Sequence, residues 1–341
     1  MSFFDGSRPR SRARAGRRGR AVAAVVVVVV VAAAMIAATV SVAFHRDMRT
    51  ARASTEGRSR VIDSPWGRIE YADVGSGPPV LMIHGSGGGF DQGLDFSAPL
   101  VREGVRIIAP SRFGYLRSAM PEGATVEMQA DALDWLMGRL GIDGAVIIGG
   151  SAGALSATQL ALRHPGRCRG LVLVVPALHA PDRLPGANAA PDPGTQRAIN
   201  AVLGSDLLFW AGVRGAPDFM TRMVLATDPA TVQTAAESER RRAGDVMFHI
   251  LPVSERRAGL LMDSATAGAP PDWPVERIAC PTLVFGARGD LYETDKAAVE
   301  VASRIPNARL VMYPDGGHLW IGHDAELWRA VGAFAKDLPP V

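Results

Sequence analysis

The chain alternates apolar and polar stretches in two distinct styles. From Ala21 to Phe44 there are 24 residues without a charge, nearly all Val and Ala. As a helix this run spans about 36 Å at 1.5 Å per residue, enough for a hydrocarbon core of roughly 30 Å. His45 to Arg60 is polar and Arg-rich and reads as a tether. From Trp66 the pattern becomes strand–turn–helix alternation. Strands are predicted at Gly67–Val74, Val80–Ile83, Val105–Ala109, Ala145–Ile148 and Leu171–Val175. Helices are predicted at Val126–Leu140, with Thr125 as N-cap, and at Ala152–Arg163.

After Pro176 the style changes. Pro181 to Pro193 is crowded with Pro, Gly, Asn and Asp and reads as loop. Helical pieces follow at Gln196–Trp210, Asp218–Leu225, Pro229–Arg242 and Val253–Leu261. The strand rhythm then returns at Thr282–Phe285, with a helix at Thr294–Arg304, a strand at Arg309–Met312 and a helix at Asp324–Lys336. Short continuous apolar strands separated by helices imply a mostly parallel sheet covered on both faces. The insertion at about 177–270 reads as a helical cap on the domain 61–341. No internal repeat is evident.

Charge changes the picture mainly at the N-terminus. Residues 1 to 60 hold twelve arginines against Asp5, Asp47 and Glu56, a net of +9, whereas the whole chain is +3. The remainder is therefore −6, and this mildly acidic body offers no electrostatic case for nucleic-acid binding. Seven arginines between Arg8 and Arg20 precede the apolar run, and Arg46, Arg49 and Arg52 follow it. The positive-inside rule then makes 1–20 a cytoplasmic tail and 21–44 a signal anchor, with the body outside the cytoplasm at the cell membrane. Ser41-Val42-Ala43 also fits a signal-cleavage site, which would release a secreted protein, although the apolar region is long for one. A buried soluble helix is the third reading, disfavoured by a β-branched valine run. Arg17-Arg18 alone is too weak a signal for twin-arginine export.

Two cysteines exclude a disulfide scaffold and a thiolate metal cluster. Cys168 and Cys280 each lead into an apolar strand. If those strands are neighbours, the pair comes near bridging distance, an idea that an oxidising compartment keeps alive. Two separate buried thiols are the expectation.

The chemistry gathers at turns after strands. Gly149-Gly150-Ser151-Ala152-Gly153 falls between a buried strand and a helix, where a serine sits on a sharp turn between small neighbours. His84-Gly85-Ser86-Gly87-Gly88-Gly89 follows an earlier strand. The backbone N–H groups of Ser86 and Ala152 are the expected oxyanion donors. Seven histidines compete for the role of base. His45 lies in the tether, His164 at a helix end, His179 and His249 at or within the cap, and His323 near the last helix. His84 opens the oxyanion loop and is read as positioning it. His318, in Asp315-Gly316-Gly317-His318, follows the final strand and is the candidate base. Asp290 directly follows the strand ending at Phe285 and is the candidate acid, ahead of Asp295, Asp315 and Asp182. Phe113, Tyr115 and Trp210 are candidates for an apolar substrate pocket, with Phe209 and Phe248 behind them. No motif demands a metal, nucleotide or flavin, so no cofactor is expected.

These motifs together resemble the α/β-hydrolase superfamily over roughly Ser64 to Asp337. The likeness rests on His84-Gly85, Ser111-Arg112-Phe113-Gly114-Tyr115, the Ser151 elbow, Asp290 and Gly317-His318, in the chain order Ser, Asp, His. It implies an α/β fold with a mostly parallel eight-stranded sheet, helices on both faces and a helical cap, here preceded by a transmembrane helix. Ser151 implies an ester-type hydrolase and argues against dehalogenases and epoxide hydrolases, which carry an aspartate at the elbow. Three positions depart from the family pattern: Ser111 stands where an acidic residue is frequent, Leu116 where a second glycine is, and Gly150 where His or Asn often precedes the serine. His84-Gly85-Ser86-Gly87 and His318-Leu319-Trp320 also resemble the meta-cleavage-product hydrolases, which cut carbon–carbon bonds in vinylogous diketones. That reaction needs a cap arginine, for which Arg197, Arg214 and Arg222 are the candidates. Hydrolysis of a small or medium apolar ester is the broader expectation. A catalytically silent binding protein and a perhydrolase are the remaining alternatives.

Overall fold

The short apolar runs of the body line up side by side, and the central ones are buried on both faces. In the computed structural model, which describes residues 10–183 and 193–338, eight strands form one sheet. They are β1 (Arg60–Ser64), β2 (Gly67–Val74), β3 (Pro79–Ile83), β4 (Arg106–Pro110), β5 (Ala145–Gly150), β6 (Cys168–Val174), β7 (Thr282–Ala287) and β8 (Ala308–Tyr313), in the spatial order β1-β2-β4-β3-β5-β6-β7-β8. The pairs β1–β2 and β2–β4 are antiparallel. All the others are parallel. Alternate side chains feed two cores: Leu81, Ile83, Ile147, Leu171 and Leu173 face one, Val80, Met82, Val146, Ile148, Val172 and Val174 the other.

The division of the chain falls between Thr50 and Ala51. The N-terminal unit is helical, within α1 (Arg10–Ala53). The span Ala23–Ala53 is long and apolar enough to cross a membrane, and its apolar window is wholly unburied. A helix of that kind is not the core helix of a soluble domain, so the buried-helix reading is corrected. No Gly or Pro interrupts the sequence from Ala21 to Glu56, and the helix accordingly runs through His45–Ala53, into the stretch expected as tether. Residues 1–9 of the basic tail lie outside the described residues.

In the body, α2 (Phe90–Arg102) and α12 (Asp324–Asp337) pack on one face of the sheet. The other face is covered by α3 (Val126–Arg139), α4 (Gly153–Arg163) and α11 (Thr294–Arg304). Thr125 caps α3 as expected, its hydroxyl accepting from the Met128 N–H at 3.1 Å. Between β6 and β7 run α5 (Pro193–Leu203), α6 (Asp206–Gly215), α7 (Pro217–Val224), α8 (Pro229–Thr234), α9 (Glu237–Phe248) and α10 (Arg257–Ala267). The helix expected at Gln196–Trp210 is two, because the Ser205 hydroxyl accepts from the Leu208 N–H and restarts the chain as α6. Asp228 likewise caps α8, and the Pro229–Arg242 segment divides at Ala235 and Ala236 into α8 and α9. Of the loop expected at 181–193, residues 184–192 lie outside the described residues. Strands β6 and β7 are direct neighbours. The two cysteines are free thiols, as expected, with Cys168 buried and Cys280 only partly so, and their sulfurs stand 3.0 Å apart.

Candidate active site

The parallel strands point their C-terminal ends at one edge, and every element of the site starts there. Ser151 follows β5 in a left-handed conformation, φ 51°, and strand-to-helix turns of this kind lift a side chain clear of the sheet. Its backbone is pinned by N–H donation to the Val174 carbonyl at 2.9 Å, while its own carbonyl accepts from the Ala154 and Ala177 N–H groups. Gly153 is required because a Cβ there would overlap the carbonyl oxygens of Ile83 and His84. That close approach seats the elbow against the end of β3.

His318 arrives on the turn after β8, where the backbone reverses through Gly316 at φ 106°. Its Nε2 lies 2.9 Å from Ser151 Oγ and its Nδ1 lies 2.8 Å from Asp290 Oδ2. A carboxylate only accepts, so Nδ1 carries the proton and Nε2 is left to accept from the serine hydroxyl. Asp290, after β7, is enclosed at 6% exposure. It also accepts from the Tyr292 N–H at 2.8 Å and from the Thr294 hydroxyl. The Tyr292 ring meets the His318 imidazole edge-on at 5.0 Å, and its hydroxyl, pushed up to about 12 by burial and by Asp290, donates to the Met223 and Val224 carbonyls. Residues of the insertion steady the His318 turn from outside. Thr227 Oγ1 accepts from the Leu319 N–H, and Arg242 donates to the Leu319 carbonyl at 2.7 Å. A serine hydroxyl hydrogen-bonded to an imidazole whose other nitrogen meets a buried carboxylate is an arrangement suited to proton transfer.

The glycine loop after β3 flanks Ser151: a Cβ on Gly85 would stand 3.2 Å from Ser151 Cβ. The Gly85 N–H is engaged by Gln92 Oε1 and the Gly87 N–H by the Tyr115 hydroxyl. Among the described residues neither the Ser86 nor the Ala152 N–H has a hydrogen-bond acceptor. His84 is fully enclosed. Burial first, and then the Arg112 charge, holds its pKa well below the ordinary imidazole value. Its Nε2 accepts from the Arg112 N–H, so Nδ1 donates to the Gly85 carbonyl and the ring works as a neutral brace.

Two buried ion pairs hold this loop, and neither was legible as a motif. Arg112 grips Asp263 of α10 with both terminal guanidinium nitrogens at 2.6 Å. The same carboxylate accepts from the Tyr115 hydroxyl at 2.5 Å and from Ser86 Oγ at 2.9 Å. Arg256 meets Asp91 Oδ2 at 2.7 Å and also donates to the Gly88 carbonyl. Buried arginines demand such partners, and that demand is the one signal available beforehand. Tyr115 is thus a fully buried strut of the loop. Phe113 is packed in the core, and Trp210 is buried on α6.

The competing candidates are occupied elsewhere. Asp295 pairs with Arg288 at 2.8 Å, and Asp315 with His323 at 2.7 Å. His164 meets Asp131, and His249 meets Asp95. Of the cap arginines, Arg222 pairs with Asp228, Arg214 lies over the Phe248 ring, and Arg197 is exposed. Among the described residues no group of three or more His, Cys, Asp or Glu is arranged to hold a metal ion.

A family model described as alpha/beta hydrolase fold matches residues 78–322. The chain is 28% identical to the 2-hydroxymuconate semialdehyde hydrolase of Pseudomonas sp. (strain CF600), over 79% of this chain and 91% of that enzyme. It is 36% identical over 113 residues to 2-hydroxy-6-oxononadienedioate/2-hydroxy-6-oxononatrienedioate hydrolase 1 of Dechloromonas aromatica (strain RCB), a match spanning 31% of this chain and 39% of that enzyme. Among solved structures, an alpha/beta hydrolase fold protein from Nakamurella multipartita superposes with a TM-score of 0.65 at 27% identity, covering 82% of this chain and 99% of that one.

Proposed function

Since the chain belongs to the alpha/beta hydrolase fold family, we propose that it is a serine hydrolase acting on a small or medium apolar ester. The observation that carries this reading is the continuous path from Ser151 Oγ through His318 to Asp290, at 2.9 and 2.8 Å. Ser151 Oγ attacks the ester carbonyl while His318 Nε2 takes its proton. The carbonyl oxygen, now anionic, is received by the Ser86 and Ala152 N–H groups, each donor of this kind contributing about 10²–10³ in rate. His318 returns the proton to the departing alkoxide, leaving an acyl-Ser151 ester. A water molecule, deprotonated by His318, then attacks the acyl carbon, and His318 returns that proton to Ser151 Oγ as the acid leaves. Asp290 keeps the imidazole in the tautomer that both half-reactions need and favours its charged form.

A second reading, hydrolytic carbon–carbon cleavage of a vinylogous diketone, is favoured by the similarity to 2-hydroxymuconate semialdehyde hydrolase. The ester reading is preferred as the broader one, since it needs no cation to hold a conjugated anion. Arg112 and Arg256 are each committed to a buried carboxylate, Arg222 pairs with Asp228 and Arg214 lies over the Phe248 ring. That leaves the exposed Arg197 as the cap arginine the second reading would call on. A silent binding protein would not need an intact proton path. The flanking arginines of the apolar helix further support a body held outside the cytoplasm by α1.

The test is a serine-directed phosphonate together with a panel of p-nitrophenyl esters and 2-hydroxy-6-oxo-dienoates. We expect the probe to label Ser151 and esters to turn over. Ser151→Ala should abolish labelling and lower kcat by at least about 10³-fold with the fold retained. Ester hydrolysis at the native rate by that variant would refute the mechanism, and turnover confined to the dienoates would select the second reading. Peroxide added with a carboxylic acid separates perhydrolysis from both.

A further inference from the structure

The chain contains two cysteines, and although 112 positions separate them their sulfurs lie 3.0 Å apart. We propose that Cys168 and Cys280 form a disulfide in the exported protein, stapling the helical insertion to the sheet at its base. The inference rests on the outward placement of the body, not on the hydrolase reading.

The backbone already holds the two positions together. Cys168 opens β6, and Cys280 stands two residues before β7. The Leu171 N–H donates to the Pro281 carbonyl at 2.9 Å, and Leu171 pairs with Thr282 in the parallel register. The Cys280 carbonyl accepts from the Thr282 hydroxyl, and the Ala279 carbonyl from the Asn307 side chain. A bond of about 2.05 Å therefore needs the sulfurs to close by about 1 Å, within the reach of side-chain rotation. The pair lies at the N-terminal ends of its strands, whereas Ser151 and Asp290 follow the C-terminal ends. It is a site separate from the hydrolytic one. All of α5 to α10 falls between the two cysteines, so one covalent bond would close the whole insertion into a loop.

The thiols are also suited to the exchange chemistry. Cys168 is buried, and Cys280 is partly exposed. The hydrogen bond from Cys168 holds the Cys280 thiol below the ordinary range and pushes Cys168 up. Cys280 is then the sulfur that starts the reaction. Its thiolate attacks a sulfur of an oxidising disulfide, either a protein oxidant or oxidised glutathione, and displaces one thiolate. Cys168 gives its proton to a thiolate or to water and attacks Cys280 Sγ in the mixed disulfide, expelling the second thiol. Two S–H bonds are lost and one S–S bond is gained. Two electrons and two protons pass to the oxidant, which leaves as two thiols.

The experiment uses the full chain taken from membranes of expressing cells, denatured without reductant in N-ethylmaleimide and weighed. We expect no maleimide on the unreduced protein, two after reduction, and a cross-linked peptide pair containing Cys168 and Cys280. A reporter fused after Val341 is read in parallel. Two maleimides before reduction with the reporter outside the cytoplasm would overturn the staple alone. Two maleimides with the reporter inside would overturn the topology and the staple with it. Closing a loop of this length should raise Tm by about 5–10 °C. Reductant should therefore lower the melting point of the native chain by that amount and leave Cys280→Ser unmoved. Equal melting of the native chain with and without reductant would remove the stabilising role.

Discussion

At the scale of single residues, the proposed proton path depends on which carboxylate meets His318, and the hydrogen bonds separate the candidates. Asp290 receives three donors on its two oxygens: the Tyr292 N–H, the Thr294 hydroxyl and the His318 ring. Asp295 is turned away to Arg288. An amide at 290 would offer an N–H where His318 needs an acceptor and would favour the wrong tautomer. Asp290→Asn should therefore lower kcat by about 10²–10⁴-fold, whereas Asp295→Asn should stay within about threefold. Ester kinetics on the two variants decide the assignment, and equal losses would reject Asp290. The positions of Ser151 and His318 were legible because each is embedded in a turn of small residues after a strand. Asp290 was legible only from its place after a strand. Thr294 and Tyr292 were not legible at all. Their contacts arise from the turn that passes through Glu293 at φ 54°, and no local pattern encodes that.

Among the elements, the helical insertion and the glycine loop after β3 are joined through one carboxylate. Asp263 on α10 binds Arg112, Tyr115 and Ser86 at once, so the loop after β3 is held by a helix that follows β6 in the chain. Asp263→Asn keeps the shape and removes the charge, leaving Arg112 buried beside a neutral amide. Removing one partner of a buried pair costs about 3–5 kcal/mol, so the denaturant midpoint should fall well below that of the native chain. The double variant Arg112→Met, Asp263→Leu should recover part of that loss, since a matched apolar pair strands no charge but leaves the Tyr115 and Ser86 hydroxyls without this acceptor. Failure of the single variant to destabilise would show that Asp263 is not needed to neutralise Arg112. The same region explains one departure from the family pattern. Leu116, where a second glycine is frequent, adopts φ 51°, a conformation that glycine reaches without strain. Most sheet elements followed from apolar runs buried on both faces. Two elements did not. Strand β1 is a half-exposed hairpin arm without a clean apolar face, and α2 contains Gly93 and Pro99, which mask its periodicity.

For the molecule as a whole, the deciding quantity is charge on either side of one apolar helix. Seven arginines lie before it between Arg8 and Arg20, and three follow at Arg46, Arg49 and Arg52. Basic flanks are retained in the cytoplasm, so the orientation we propose for α1 has its N-terminus, with the stronger cluster, inside. The valines of α1 bear on insertion and not on direction: Val25 to Val30 are each more than half exposed, which water does not favour and a hydrocarbon core does. The body has no comparable basic excess. With a net charge of −6 beyond residue 60, it has little electrostatic reason to stay on the anionic cytoplasmic leaflet. A periplasm-active enzyme fused after Val341 should be active in the full chain, while a fluorescent protein that matures only in the cytoplasm should stay dark there. Replacing the seven N-terminal arginines with glutamine removes the larger cluster and leaves the three that follow, so a measurable fraction of chains should reverse. An unchanged orientation in that variant would mean that something other than the arginine bias directs the chain. Activity of the fusion confined to the cytoplasm would place the hydrolase on the inner face.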